Sequence, residues 1–145
     1  MSSFVKTAVV STIATIFIFL FVYTGLSKLL HFSQFVHTLS QSTILHPFAS
    51  LVAWILPVAE LATASLLFSE GTRIKGLWAA FALMLSFTIY IGYMLAFETN
   101  IPCSCGGILR SLTWTHHLQL NLALLVLTVI GLLSGSGSRR KTVLT

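Results

Sequence analysis

Two cysteines one residue apart, Cys103 and Cys105, sit in a segment unlike the rest of the chain, Pro102-Cys103-Ser104-Cys105-Gly106-Gly107. A disulfide between them would close a small, strained ring, and strain raises the reduction potential and makes the bond easy to exchange. Such a pair cannot close a long loop, so it serves exchange better than structure. Gly106 and Gly107 carry no Cβ and allow a tight turn and close approach of a partner backbone. Arg110 and the N–H groups of a following helical turn would both favour the nucleophilic thiolate. The same region offers a metal alternative, since Cys103, Cys105, His116 and His117 are two thiolates and two imidazoles, suited to Zn²⁺ or a soft copper ion. Adjacent histidines on a helix point about 100° apart, so one of the two is expected to face inward. A third reading leaves the cysteines as small apolar fillers.

Glu60 is the one charged residue inside an apolar run, Leu56-Pro57-Val58-Ala59-Glu60-Leu61-Ala62. An ionisable group at membrane depth is costly and by default a functional candidate that faces the protein interior. It would act as a proton relay, as a hydrogen-bond partner for a quinone-like ring, or as a structural residue joining two helices. Counted from Pro47 it lies near mid-membrane, whereas Lys28 ends the first apolar run about half a span away. That count disfavours pairing between them. Further on, Asn121 follows His117 by four residues and Trp114 by seven, so the three share a helix face. They would line the approach to the thiols and, with Glu60, a quinone or proton path, although Trp114 is equally an interface anchor.

The elements that must position these residues follow from composition. Of 145 residues, 56% are hydrophobic and 8% charged, against roughly a quarter charged in soluble domains. This excludes a soluble fold, disorder and a secreted disulfide scaffold. The net charge of +5 comes from eight scattered Lys and Arg residues, which form no patch for a nucleic acid. Four apolar stretches, about 7–27, 47–69, 76–97 and 115–133, approach the roughly 20 residues that cross a bilayer as helix. The last becomes long enough only when extended back through His117. Unbroken apolar runs lack the alternation of a barrel, and an open sheet is excluded in lipid. The expected fold is therefore all-α: an antiparallel bundle of four transmembrane helices in a single domain over 1–134, with a flexible tail over 135–145.

Charge placement gives an expected orientation. Lys6, Arg73, Lys75, Arg139, Arg140 and Lys141 fall on one side, while the first and third connections hold only Lys28 and Arg110. Both termini are then cytoplasmic, and the Cys-x-Cys loop faces the periplasm, where disulfides persist. His31, His37 and His46 read as loop or interfacial residues.

These motifs resemble the MauE and DoxX-like family of small bacterial membrane proteins. The resemblance rests on Gly25-Leu26-Ser27-Lys28, Leu56-Pro57-Val58-Ala59-Glu60-Leu61, and Pro102-Cys103-Ser104-Cys105-Gly106-Gly107 with Trp114 and His117-x-x-x-Asn121. It implies a multi-pass protein of the bacterial inner membrane that works with a periplasmic thioredoxin-like or disulfide-isomerase-like partner in maturing a disulfide-rich dehydrogenase subunit. The layout is also similar to quinone-linked membrane thiol oxidases, DsbB and vitamin K epoxide reductase, which implies a membrane quinone as the cofactor.

Overall fold

A computed structural model describes residues 2–97 and 114–142. Five helices account for most of them: α1 (Ser3–Leu30), α2 (Phe32–Ser40), α3 (Ala49–Phe68), α4 (Arg73–Phe97) and α5 (Trp114–Thr142), with a 3-10 turn at His46–Phe48. The described residues contain no strand. Four segments are long and apolar enough to cross a membrane: Ser3–Leu30, His46–Phe68, Arg73–Phe97 and Thr115–Ser136. The all-helical, four-span architecture expected from the apolar runs is thus present. Large side chains such as Phe19, Trp54, Trp78 and Leu133 stand on the outside, where lipid rather than water is the matching solvent. Hydroxyls within the helices are satisfied locally: Thr12, Thr15, Thr63, Ser65 and Ser86 each donate to the carbonyl four residues earlier. Such back-bonding lets a polar residue sit in a lipid-facing helix without an unpaired donor.

The helix ends are closed by side chains. Ser2 accepts from the Val5 N–H and caps α1. Between α3 and α4, Thr72 donates to the Leu66 carbonyl at 2.8 Å, and Arg73 Nε donates to the Leu67 carbonyl at 3.3 Å. These bonds serve carbonyls that the end of α3 leaves without helical donors. The same guanidinium donates through Nη1 to Ser11 Oγ at 3.3 Å, tying the turn to α1.

The four long helices form a ring in which α1 packs on α3 and α5, and α4 packs on the same two. Neighbours run antiparallel: Gly131 and Gly135 late in α5 stand beside Ile13 and Val10 early in α1 and beside Leu77 and Ile74 early in α4, and Gly76 early in α4 stands beside Leu67 late in α3. Phe17, Phe21, Leu67, Leu77 and Ala80, from three helices, anchor the buried core.

Two features depart from the sequence expectation. The tail expected to be flexible from residue 135 is helical as far as Thr142, and Ser134 and Gly135 are buried. Absence of side-chain bulk at Gly135 serves packing there, since a Cβ on it would run into the Ile74 side chain. The first connection is also more than a loop. Within it, α2 lies along the start of α3, burying Phe35 and Leu39 against Ala49 and Ala53, with the Phe32 and Trp54 rings 4.7 Å apart.

At Gly76, α4 passes close against the backbone of α3. A Cβ there would stand 2.8 Å from the Leu67 backbone nitrogen and 3.0 Å from the Leu66 carbonyl carbon. Backbone cannot swing aside as a side-chain tip can, so Gly76→Ala is expected to cost about 1–3 kcal/mol. Thermal unfolding in detergent checks this, with Gly71→Ala as the neutral comparison, because a Cβ on Gly71 meets nothing within 4 Å.

Candidate functional site

The close approach of α1 and α3 starts from glycine. A Cβ on Gly25 would be 3.2 Å from Leu61 Cγ and 3.4 Å from the Pro57 carbonyl oxygen, so a larger residue would push the helices apart. Lys28 follows Gly25 by three residues on the same face, and its long stem carries the ammonium to Glu60. Nζ donates to Glu60 Oε1 at 2.7 Å, with side-chain exposures of 9% and 1%. The Phe35 and Phe87 rings flank the ammonium, with centroids 5.9 and 5.8 Å from Nζ, a distance at which ring quadrupoles help hold a cation.

This pairing overturns the half-span separation inferred from counting. The count assumed that α1 ends at the membrane level where α3 begins. Instead, α2 occupies the length beside the first turns of α3, so the end of α1 falls beside the middle of α3. Two of the three motifs behind the family resemblance thereby meet: Gly25–Lys28 packs on Pro57–Leu61.

The pair forms one wall of a half-open cavity of about 250 Å³ lined by α1, α2, α3, α4 and α5. Its polar groups are Thr24, Lys28, Glu60, Tyr90, His117 and Asn121, with Ser86 at the margin. Most of the remaining surface is apolar, from Leu, Phe, Met, Ile and Val side chains. Glu60 Oε2, fully buried, has no hydrogen-bond partner among the described residues.

The structure therefore gathers three of the sequence-derived candidates, Glu60, His117 and Asn121, around one space. His117 is buried while His116 is exposed, as their angular offset on α5 requires. His31, His37 and His46 are exposed. Cys103, Cys105, Gly106, Gly107 and Arg110 lie outside the described residues, as does the side chain of Trp114, which opens α5. Among the described residues no three His, Cys, Asp or Glu side chains gather as a metal site. The metal alternative joining His116 and His117 to the cysteines would need both rings on one ion, and one is buried where the other is exposed.

Residues that sequence reasoning passed over complete the site. Lys28 is its cation, and Phe35, Phe87 and Tyr90 line it. The spacing of Met84, Phe87 and Ile91 on α4 marks one helical face, but that helix is apolar all round and the pattern does not single the face out.

The sequence model of the family described as "Methylamine utilisation protein MauE" matches residues 6–134. The chain belongs to the MauE family. A curated relative, "Methylamine utilization protein MauE" of Paracoccus denitrificans, is 34% identical over 122 residues, covering 81% of this chain and 63% of the relative. The chain thus spans less than two thirds of that MauE protein's length. No solved structure matches the chain. The matched region of this MauE-family chain contains two of the four spans whole and all but the outermost residues of the other two, with the Lys28–Glu60 pair and the Cys-x-Cys segment.

Removing one partner of a buried ion pair strands the other charge, at a cost of roughly 3–5 kcal/mol. Lys28→Met and Glu60→Leu should each lower the unfolding temperature sharply. The double variant Lys28→Met/Glu60→Leu should recover most of the loss, since two apolar side chains leave no unpaired charge. Melting curves of the three purified variants in one detergent measure the coupling.

Proposed function

We propose that this chain is a membrane thiol–disulfide redox protein of methylamine utilisation, in which Cys103 and Cys105 exchange with a periplasmic thioredoxin-like or disulfide-isomerase-like protein. The observation that carries the reading is the position of the Pro-Cys-x-Cys-Gly-Gly segment in a MauE-family chain. It joins α4 to α5 at the end of the bundle where His117 enters the cavity, twelve residues after Cys105.

The chemistry is thiol–disulfide exchange. A thiolate of one protein attacks a disulfide sulfur of the other, an S–S bond breaks as another forms, and a thiolate leaves. The second thiolate of the attacking pair then displaces the mixed disulfide. One protein ends as a dithiol and the other as a disulfide, with two electrons and two protons exchanged overall. Arg110 and the N–H groups at the start of α5 favour the thiolate form, while Gly106 and Gly107 leave room for the partner's backbone. The expected client is a disulfide-containing periplasmic enzyme under maturation.

The orientation that serves this reaction has both termini in the cytoplasm, with the chain in the bacterial inner membrane. It is supported by the six Lys and Arg residues assigned to the cytoplasmic side against two on the other.

Labelling in intact cells with a membrane-impermeant thiol reagent tests the reading. Wild type is expected to label only after reduction, from the periplasmic face. One of Cys103→Ser and Cys105→Ser should accumulate a mixed disulfide with a partner protein. Thiols that stay reduced with bound metal, or that label only from the cytoplasm, would overturn it.

A further inference from the structure

We propose that the end of the bundle where α4 begins and α5 ends binds the phosphodiester of an anionic phospholipid, held between Lys6 of α1 and Arg139 of α5. The proposal goes beyond the thiol reading and does not depend on it.

The register of α5 against α1 brings these two cationic positions together. A Cβ on Gly131 would stand 3.5 Å from Ile13 Cγ2, and one on Gly135 would stand 3.8 Å from Val10 Cγ2. Because the helices run antiparallel, one further turn sets Lys6, four residues before Val10, level with Arg139, four residues after Gly135. Both helices are continuous through these positions. Residues four apart share a helix face, so Lys6 lies on the α5 side of α1 and Arg139 on the α1 side of α5. Packed helices stand about 8–10 Å apart, and two cationic positions therefore face each other across one helix contact. Ile74 packs on the same Gly135, which adds Arg73 and Lys75 to this end of the bundle.

No carboxylate among the described residues neutralises them. The acidic residues of the chain are Glu60, Glu70 and Glu98. Glu60 is committed to Lys28, and Glu98 follows the far end of α4 in sequence. Glu70, exposed in the turn before α4, makes no ion pair among the described residues, and neither do Lys6 and Lys75. Arg73 is turned to the Leu67 carbonyl and Ser11. Membrane orientation alone does not ask for this arrangement. Basic residues anywhere near the span ends satisfy it, a loose tail included. Here Arg139 stands on a helix that its Gly and Ser residues disfavour by propensity and that the packing of Gly135 supports.

An anion between the two positions removes their repulsion and gains a charge-assisted contact with each. Arg offers a phosphate two parallel N–H donors, and Lys a point charge. The level selects the source. Lys6 and Arg139 lie one helical turn, about 5.4 Å, beyond the buried layer of Val10, Gly135 and Ile74, where the spans leave the hydrocarbon. Lipid phosphates occupy that level, and basic pockets between helix ends bind anionic headgroups. A zwitterionic headgroup brings its own cation and leaves the repulsion in place.

The test uses the full chain in phosphatidylcholine nanodiscs with phosphatidylglycerol as the minor lipid and probe. Native mass spectrometry counts the lipids that stay bound, and the melting temperature is read in parallel. One phosphatidylglycerol per chain is expected to stay bound in preference to phosphatidylcholine and to raise the melting temperature by several degrees. Lys6→Gln/Arg139→Gln should cut that retention by about tenfold or more. Arg140→Gln/Lys141→Gln, which removes as much charge from the same end, should cut it only about twofold. Arg139→Glu sets a carboxylate opposite Lys6, so it should abolish the preference and raise the melting temperature in pure phosphatidylcholine, a gain that a misfolded variant cannot show. Equal retention of the two lipids, an equal loss in the two double variants, or a lower melting temperature for Arg139→Glu would each overturn the proposal. Soluble glycerol phosphate that stabilises the chain as much as the lipid does would overturn the lipid as the source. Cys103→Ser/Cys105→Ser should retain the probe as wild type does, so failure of the thiol reading and failure of this one are distinguishable.

Discussion

One ion pair constrains the bundle more than any other contact. Lys28 and Glu60 lie within apolar spans at 2.7 Å, almost entirely shielded, and neither charge can be left alone at that depth without a penalty of several kcal/mol. Their contact holds α1 against α3 at the offset that α2 imposes, beside the close passage at Gly25, and the rings of Phe35 and Phe87 flank the ammonium. An apolar pair of similar volume often holds helices nearly as well, so stability is a weak account of a lysine and a glutamate in this place. What the charged pair adds is a polar wall within an otherwise greasy cavity.

The offset has a structural cause in α2. A four-helix hairpin protein with short loops would begin and end its spans at matched levels. Here nine residues of helix fold against the first turns of α3 and take up the length that α1 does not reach. Lys28, near the last turn of α1, is thereby brought level with the middle of α3. Ser42 continues the cover by placing its hydroxyl 3.9 Å from the Met94 sulfur of α4. The cavity is therefore roofed by the first connection at the same end where α4 finishes and α5 begins.

That geometry gives physical content to the family resemblance. Gly-Leu-Ser-Lys and Leu-Pro-Val-Ala-Glu-Leu are far apart in sequence, and each by itself is close to generic membrane helix. In the fold they are the two sides of one contact. The His117-x-x-x-Asn121 spacing puts both side chains on the cavity face of α5. In sequence, the Cys-x-Cys segment precedes the same helix, with Cys105 twelve residues before His117.

Much of the fold was legible in the sequence because hydrocarbon imposes a simple condition on it. Charges are costly within the spans and most of the eleven gather at or beyond their ends, where they mark out the helices. The extension of the last helix back to Trp114 follows from length alone, and the shared face of His117 and Asn121 from helical spacing. Composition also misled, since Gly-Ser-Gly-Ser reads as a flexible tail while its Gly135 is buried in α5 against Ile74 of α4. The Lys28–Glu60 contact was beyond reach of the sequence for a clear reason. Helices that are apolar on every side do not reveal which face turns inward, and residue counting assumes a common membrane level. Sequence by itself determined that four helices cross, that Glu60 must find a partner, and that the cysteines lie between the last two spans. Only the tertiary structure decided the partner and the cavity, because both depend on how far one helix slides along another.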